Sequence, residues 1–137
     1  MTDREAVAQG RTERATALAR AGSLRAALEQ GLLEPRPSLT VAEGVVLGLL
    51  RNGVRDYLVV LGHGSTELGE VLRIYDAAGV TRTHPVRHET EASHAATALR
   101  WVTGQRAAVV TSIGPGALHA LAGSLVPASD GIGVCRL

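Results

Sequence analysis

The chain has 137 residues, of which 45% are apolar and 20% are charged, and its formal net charge is +1. This composition excludes a disordered chain, and the interspersed charges form no basic patch that would indicate nucleic-acid binding. A single cysteine excludes an internal disulfide, and the charged N-terminus and short apolar runs argue against a signal peptide or a membrane span, so we expect a cytoplasmic protein.

The first 38 residues predict a helical arm followed by a linker. An Ala- and Arg-rich stretch favours a helix that ends at Gly22, and Ser23 is a suitable N-cap for a second short helix that ends near Gly31. The segment Glu34-Pro35-Arg36-Pro37 predicts a linker, because each proline disfavours helix in the residue before it. We expect the arm to pack on the rest of the chain or on a partner.

From residue 39 onward, helices and strands alternate. Thr40 and Glu43 predict a capping box at the start of a helix that ends near Arg51. Strands are predicted over 56–61, 80–86 and 106–112 and from residue 130, with helices over 66–78, 89–102 and 117–125. The alternation with short turns predicts an α/β fold, a three-layer α/β/α domain with a mainly parallel sheet.

Ligands of such sheets bind beyond the carboxyl ends of the strands, where the chain places the loops 62–65, 87–91 and 113–116. Gly62 and Gly64 lie between a strand and a helix, which is the usual context of a phosphate-binding turn. The third glycine and the later acidic residue of a dinucleotide fingerprint are absent from the sequence. A tight turn, a nucleotide-phosphate site and a loop that faces a substrate or cofactor remain alternative interpretations.

The histidines do not have the spacing of a metal site. His88 and His94 are six residues apart, which is about 600° around a helix, so they do not share a face. His84 and His88 lie on either side of Pro85, at the predicted end of a strand. We therefore predict no metal ligands.

Glu89 is the most distinctive candidate for chemistry. It opens a helix directly after a strand, follows His88 and precedes a run of small residues. A carboxylate in the first turn complements the helix dipole without any further purpose, so its position alone does not assign a role. The turn Gly114-Pro115-Gly116 likewise suits a helix start, and its glycines also allow a ligand to approach the backbone closely.

Taken together and in order, four stretches resemble the pyrimidine-binding N-terminal domain of thiamine-diphosphate-dependent enzymes of the acetolactate synthase type. The stretches are Leu-Thr-Val-Ala-Glu at 39–43, Gly-His-Gly-Ser at 62–65, Arg-His-Glu-x-x-Ala-x-His-Ala-Ala at 87–96, and Thr-Ser-Ile-Gly-Pro-Gly-Ala at 111–117. The resemblance covers residues 39–134. Within the family, the Gly-His-Gly loop and Ile113 are most similar to trihydroxycyclohexanedione hydrolase of inositol catabolism.

The resemblance implies that Glu89 is the catalytic residue, which hydrogen-bonds the N1′ nitrogen of the cofactor's aminopyrimidine ring. The cofactor-binding residues that it implies lie in the three loops and the helix that follows them: Gly62, His63, Gly64, Glu89, Gly114, Pro115, Gly116 and His119. Because the residues after Glu89 are small and apolar, we expect desolvation to raise the pKa of its carboxyl group.

The resemblance also implies what lies outside this sequence. The family's Gly-Asp-Gly motif, which holds the diphosphate and Mg²⁺, does not occur here, so the implied diphosphate-binding domain is on the same longer chain or on a second subunit. We expect residues 1–38 to be an arm, residues 39–137 to be a C-terminally incomplete pyrimidine-binding domain, and the protein to be a homodimer with no nucleic-acid or membrane partner.

The implied reaction makes or breaks a carbon–carbon bond next to a carbonyl group, and we expect no turnover from this chain alone. The alternative functions are a non-catalytic, Rossmann-like domain that binds a ligand or a partner, and a nucleotide-binding domain of the same general fold.

Overall fold

The computed structural model describes residues 3–125 and 135–137 of the chain. Its elements are α1 (Asp3–Ala21), α2 (Leu24–Glu29), α3 (Val41–Arg51), β1 (Asp56–Val59), α4 (Thr66–Ala77), β2 (Arg82–Pro85), α5 (Glu89–Thr103), β3 (Ala107–Val110), α6 (Pro115–Ala122) and β4 (Cys135–Arg136). The strands are shorter than predicted, and the predicted start of the fourth strand at 130–134 lies outside the described residues. None of the described helices is both long and apolar enough to cross a bilayer.

The four strands form one sheet in the order β2-β1-β3-β4, and every neighbouring pair is parallel. Asp56 of β1 is in register with Arg82 of β2 on one side and with Ala107 of β3 on the other. The predicted α/β fold with a parallel sheet is confirmed.

Helices cover both faces of the sheet, because successive side chains of a strand point to opposite faces. Tyr57 and Val59 of β1 belong to a core cluster that includes residues of α1 to α4. Leu58, which lies between them, belongs to a second and smaller cluster with residues of α5 and α6. The described residues therefore form the predicted three layers, with α1 to α4 on one face of the sheet and α5 and α6 on the other.

The N-terminal arm packs on the chain's own helices. Ala15 and Leu18 of α1 and Ala27 of α2 are buried in the larger core cluster. Ser23 caps α2 as predicted, since its hydroxyl oxygen accepts a hydrogen bond of 3.1 Å from the Ala26 N–H. These apolar contacts attach both arm helices to the layer that contains α3 and α4.

The predicted capping box at α3 is only half formed. The Thr40 hydroxyl accepts a hydrogen bond of 3.4 Å from the Glu43 N–H, but the Glu43 side chain does not reach back to cap the helix. Its carboxylate is fully buried and accepts hydrogen bonds from Arg14 and Tyr75. Glu43 is thus a buried anion that pairs with the N-terminal arm. Its carboxylate binds Arg14 of α1 instead of the backbone N–H at the start of α3.

Candidate functional site

The loops that follow β1, β2 and β3 meet at the carboxyl edge of the sheet, as the parallel topology requires. The Ile113 N–H donates a hydrogen bond of 3.1 Å to the carbonyl oxygen of His63. Gly62 lies against Ser112, because a Cβ atom added to this glycine would fall 2.8 Å from the Ser112 Cβ. The first and third loops are therefore in direct contact.

The Gly62–Ser65 segment is a closed turn. The Ser65 hydroxyl accepts a hydrogen bond of 3.0 Å from the Gly62 N–H and donates one of 3.1 Å to the Gly62 carbonyl. Gly64 has φ +88°, which favours glycine, and the side chain of His63 is exposed. The Gly62 N–H is already bonded, so this geometry favours a tight turn over a phosphate cradle.

Glu89 is held at the start of α5 with a side chain that is only 10% exposed. The preceding residue, His88, is the N-cap of the helix, and its Nδ1 atom accepts a hydrogen bond of 3.2 Å from the Thr90 N–H. An accepting Nδ1 carries no proton, so this bond requires the neutral form of the His88 ring. The carboxylate and its neighbouring cap are both positioned by the first turn of one helix.

Helix α6 brings His119 to this carboxylate. The His119 Nδ1 atom lies 3.3 Å from Glu89 Oε2, and because the carboxylate accepts, Nδ1 carries the proton. Two side chains of α5 hold the backbone of α6 in place: the Thr90 hydroxyl donates to the His119 carbonyl at 3.0 Å, and the Ser93 hydroxyl donates to the Ala120 carbonyl at 2.8 Å. The small residues after Glu89 thus serve the contact between α5 and α6.

The other carboxylate oxygen of Glu89 faces the turn before α6. A Cβ atom added to Gly116 would fall 2.8 Å from Glu89 Oε1 and 2.5 Å from Ser112 Oγ, so only glycine fits there without a shift. Gly114 has φ +74°, and Pro115 is the first residue of α6. The structure therefore brings the predicted residues 114–116, Glu89 and His119 together, and it adds Ser112 to them.

The pKa of Glu89 is lowered, and the expectation that burial would raise it was wrong. A hydrogen bond from the residue's own backbone N–H is the largest cause, and His119 adds a hydrogen bond and a favourable charge interaction. Desolvation acts in the opposite direction but is outweighed. The position at the helix N-terminus stabilises the ionised form, which the surrounding small residues alone did not reveal.

His88, Glu89 and His119 also place three potential metal-ligating atoms within 4.8 Å of one another. The two imidazole rings are stacked, with centroids 4.9 Å apart and planes inclined by 26°. His88 Nδ1 already caps α5. Hydrogen bonds and ring stacking join the three side chains in this arrangement.

Other histidines lie away from this cluster. His84 Nε2 lies 3.0 Å from Asp56 Oδ1 at the opposite end of β1, and His94 is exposed on α5. The spacing argument compared His88 with these two residues and so missed His119, which is 31 positions further along the chain. Only the packing of α6 on α5 could reveal that pair.

Comparison with known proteins assigns most of the chain to one family. The family model "Thiamine pyrophosphate enzyme, N-terminal TPP binding domain" matches residues 39–134. No curated protein sequence matches the chain closely enough to count as a relative.

Proposed function

Because the chain belongs to the family of N-terminal TPP-binding domains of thiamine pyrophosphate enzymes, we propose that it forms the half-site for the aminopyrimidine ring of thiamine diphosphate. Glu89 is the catalytic residue of this half-site and hydrogen-bonds the ring. One observation carries the proposal, namely a nearly buried carboxylate at a helix N-terminus that directly borders a glycine turn. The carboxylate oxygens can accept hydrogen bonds from a polar ligand, and the turn presents Gly116 rather than a side chain beside them.

The residues around Glu89 fit an aminopyrimidine. No side chain of the 114–116 turn stands beside Glu89 Oε1, since Gly116 is the residue that borders this oxygen. A ring laid on the turn would contact backbone on one face while its edge reached the carboxylate. Ser112 Oγ, on the other side of Gly116, offers a second polar contact. A small number of placed polar groups is typical of a cofactor site.

The cofactor, when bound, supplies the carbanion chemistry with which the family makes or breaks carbon–carbon bonds next to a carbonyl group. The part of this chain is to bind and orient the ring and to hold one proton between Glu89 and the ring nitrogen. Gly62, His63 and Gly64 form the neighbouring wall through their contact with the loop that contains Ile113. The similarity to acetolactate synthase and to trihydroxycyclohexanedione hydrolase belongs to the same proposal.

The diphosphate and its Mg²⁺ are held by a separate domain or subunit in this proposal, and the chain alone does not turn over substrate. Helix α6 supports the need for a partner, because its apolar side chains are exposed. Leu118 is 68% exposed, Leu121 is 59% exposed, and Leu125, just beyond the helix, is 78% exposed. A helix that is apolar on its outer face is normally covered. We propose a second copy of the chain or the diphosphate-binding domain as its cover.

Ligand-induced NMR shifts of the full chain test the proposal, with thiamine diphosphate added in the presence and absence of Mg²⁺. We expect shifts in the amides of the 112–116 turn and of Thr90 for the wild type, and their loss in Glu89→Gln. Glu91→Gln is the matched control, because Glu91 lies in the same helical turn but is exposed. Shifts that persist unchanged in Glu89→Gln, or that are absent from the wild type, would contradict the proposal.

A non-catalytic, partner-binding domain is the second candidate, and the exposed leucines of α6 are the observation that favours it. It predicts that Glu89→Gln leaves every binding property unchanged, whereas polar substitutions on α6 abolish capture of the partner. The binding properties of the Glu89→Gln variant therefore distinguish the two candidate functions.

A further inference from the structure

The hydrogen bond from His119 occupies Oε2 of Glu89. The other oxygen, Oε1, is packed so closely against the turn before α6 that a Cβ atom added to Gly116 would fall 2.8 Å from it. Oε2 is therefore the oxygen that a ring nitrogen would need. We propose that His119 is a positioning residue that keeps Glu89 ionised and hydrogen-bonded in the cofactor-free chain. The His119 side chain must rotate away before an aminopyrimidine can bind. The inference rests on the proposed function. It adds that His119 is a hydrogen-bond donor that competes with the cofactor ring for Glu89.

The exposure of the two side chains identifies which of them moves. The side chain of Glu89 is 10% exposed, whereas that of His119 is 52% exposed and forms the solvent side of the pair. The backbone of His119 is fixed by the hydrogen bond that its carbonyl accepts from the Thr90 hydroxyl, and that of Ala120 is fixed in the same way by Ser93. Release of Glu89 therefore needs only rotation of the imidazole side chain and no shift of α6.

The other face of the His119 ring limits how charge can be placed in the cluster. His88 stacks on it with ring centroids 4.9 Å apart and must stay neutral at Nδ1 to cap α5. Protonation of His88 at Nδ1 would remove the cap of α5. His119 is the ring that donates to the carboxylate.

The residues of the turn before α6 carry no charge. The turn before α6 contributes Ser112 and Gly116, and the carboxylate of Glu91 accepts from the Arg87 N–H on the exposed side of the helix start. Among the described residues, the charge interactions that act on Glu89 come from His119 and His88. His119 is thus the side chain of α6 that favours the ionised form of Glu89, in addition to the backbone hydrogen bond at the start of α5.

Binding of a neutral aminopyrimidine needs one proton between Glu89 and the ring nitrogen. The donor at His119 favours the ionised carboxylate and therefore opposes the placement of that proton on Glu89. It also occupies Oε2. Removal of the donor should therefore make Glu89 easier to protonate and the ring easier to bind. A hydrogen bond of this kind in a half-exposed setting corresponds to about a fivefold change in affinity.

The test uses His119→Phe, which keeps a ring for stacking on His88 and removes the N–H donor. Carbon-13 NMR of the glutamate carboxyl groups in the cofactor-free chain should show the Glu89 titration displaced to higher pH, because a donor that favours the ionised form has been removed. Thiamine diphosphate should bind about five times more tightly at neutral pH. His119→Asn, which restores an amide donor, should return both quantities towards the wild type, and His94→Phe is the control on an exposed histidine of α5.

Each outcome separates this inference from the proposed function. If Glu89→Gln abolishes thiamine diphosphate binding while His119→Phe leaves both the Glu89 titration and the affinity unchanged, only the role of His119 is overturned. If His119→Phe binds more weakly than the wild type, His119 is a direct cofactor ligand and the inference is wrong. If Glu89→Gln does not affect binding, the proposed function fails, and the positioning role of His119 fails with it.

Discussion

Gly116 determines the shape of the candidate site through the atom that it lacks. The space beside its Cα is bounded by Glu89 Oε1 and Ser112 Oγ, which a Cβ atom would approach to 2.8 and 2.5 Å. Gly44 and Gly48 of α3 have no neighbouring atom within 4 Å of the same position. In the sequence all three are simply glycines near or within helices. Only at Gly116 does a tertiary contact require glycine.

Gly116→Ala should therefore damage the site more than the fold. The added methyl group displaces Glu89 or Ser112, and overpacking of this kind costs about 1–3 kcal/mol. We expect thiamine diphosphate binding to weaken about tenfold or more, measured by isothermal titration calorimetry. Gly48→Ala should leave binding unchanged and raise the free energy of unfolding by about 0.5–1 kcal/mol, because alanine is the better helix former. Equal binding by both variants would contradict the prediction.

Asp56 shows a second residue-scale effect, at the opposite end of β1. Arg82 donates two hydrogen bonds to its carboxylate, at 2.8 and 2.6 Å, and His84 lies 3.0 Å away. The Arg82 hydrogen bonds are the main cause that lowers the pKa of Asp56 from its ordinary value of 3.8, and His84 adds to them. Because the folded-state pKa is the lower one, this stabilisation is present above about pH 4 and is lost as the pH falls through the folded-state value.

Asp56→Asn should remove that acid-sensitive part of the stability. Urea unfolding at several pH values between 2 and 7 should show a shallower loss of stability on acidification than in the wild type. The control is Glu29→Gln, which breaks the exposed pair of Glu29 with Arg25 and should change the free energy of unfolding by about 0.5 kcal/mol or less. An acid profile of Asp56→Asn that parallels the wild type would show that the network contributes nothing.

Among the elements, α1 is joined to α3 and α4 by a buried ionic cluster. Glu43 has no exposed surface and accepts two hydrogen bonds of 2.7 Å from Arg14 and one of 2.8 Å from the Tyr75 hydroxyl. Arg11, also on α1, donates to Thr40 at 2.9 Å and to Glu67 at 2.6 Å. Burial and the nearby carboxylate raise the pKa of Tyr75, which keeps its hydroxyl protonated as a donor.

Arg14→Ala should be strongly destabilising because it leaves the buried Glu43 carboxylate without its main partner. We expect a loss of about 3–5 kcal/mol in the free energy of unfolding by urea. Arg25→Ala is the matched control on α2, since Arg25 forms only an exposed pair, and it should cost about 0.5 kcal/mol or less. The double variant Arg14→Met/Glu43→Leu should recover much of the loss, because no unpaired charge remains. An Arg14→Ala variant as stable as the wild type would contradict this account.

The outer strand β2 is closed to further pairing by two local features. It is an edge of the described sheet, and the Thr83 N–H donates to the Asp76 carboxylate at 2.9 Å. Pro85 has no N–H to offer. These features discourage the addition of another strand at this edge.

At the scale of the whole molecule, the described helices cover the two faces of the sheet unequally. Four helices cover one face, whereas α5 and α6 cover the other. The family match begins at residue 39, yet the larger core already contains Ala15, Leu18 and Ala27. The folded unit is therefore larger than the matched region. The face of the sheet that α5 and α6 cover carries both the candidate site and the exposed leucines of α6.

The double variant Leu118→Glu/Leu121→Glu tests whether that side associates. We expect the wild type to self-associate with rising concentration in sedimentation velocity and the variant to remain monomeric, because glutamate disfavours burial of this face. Both leucines are more than half exposed, so the free energy of unfolding should change by no more than about 0.5 kcal/mol. Val41→Glu, at an 86% exposed residue of α3, is the control for added charge. A wild type that is monomeric at all concentrations would contradict the prediction.

The sequence by itself determined the order of the elements, the parallel α/β architecture and the three loops at one edge of the sheet. Strand and helix periods, N-caps such as Ser23 and glycine stops are local signals, and a parallel sheet places the carboxyl ends of its strands together. The sequence also singled out Glu89 and the 114–116 turn. The predicted strands were too long because residues that favour strands continue beyond the paired segments.

Tertiary structure decided the environment of those residues. His119 reaches Glu89 across 30 positions of sequence, and Arg14 reaches Glu43 across 29. Both contacts depend on how one helix packs against another, and a local pattern does not contain that information. The same packing exposes α6 and places a donor at Glu89, while the position of Glu89 at the start of α5 outweighs desolvation. The direction of its pKa therefore followed from hydrogen-bond geometry that only the folded chain provides.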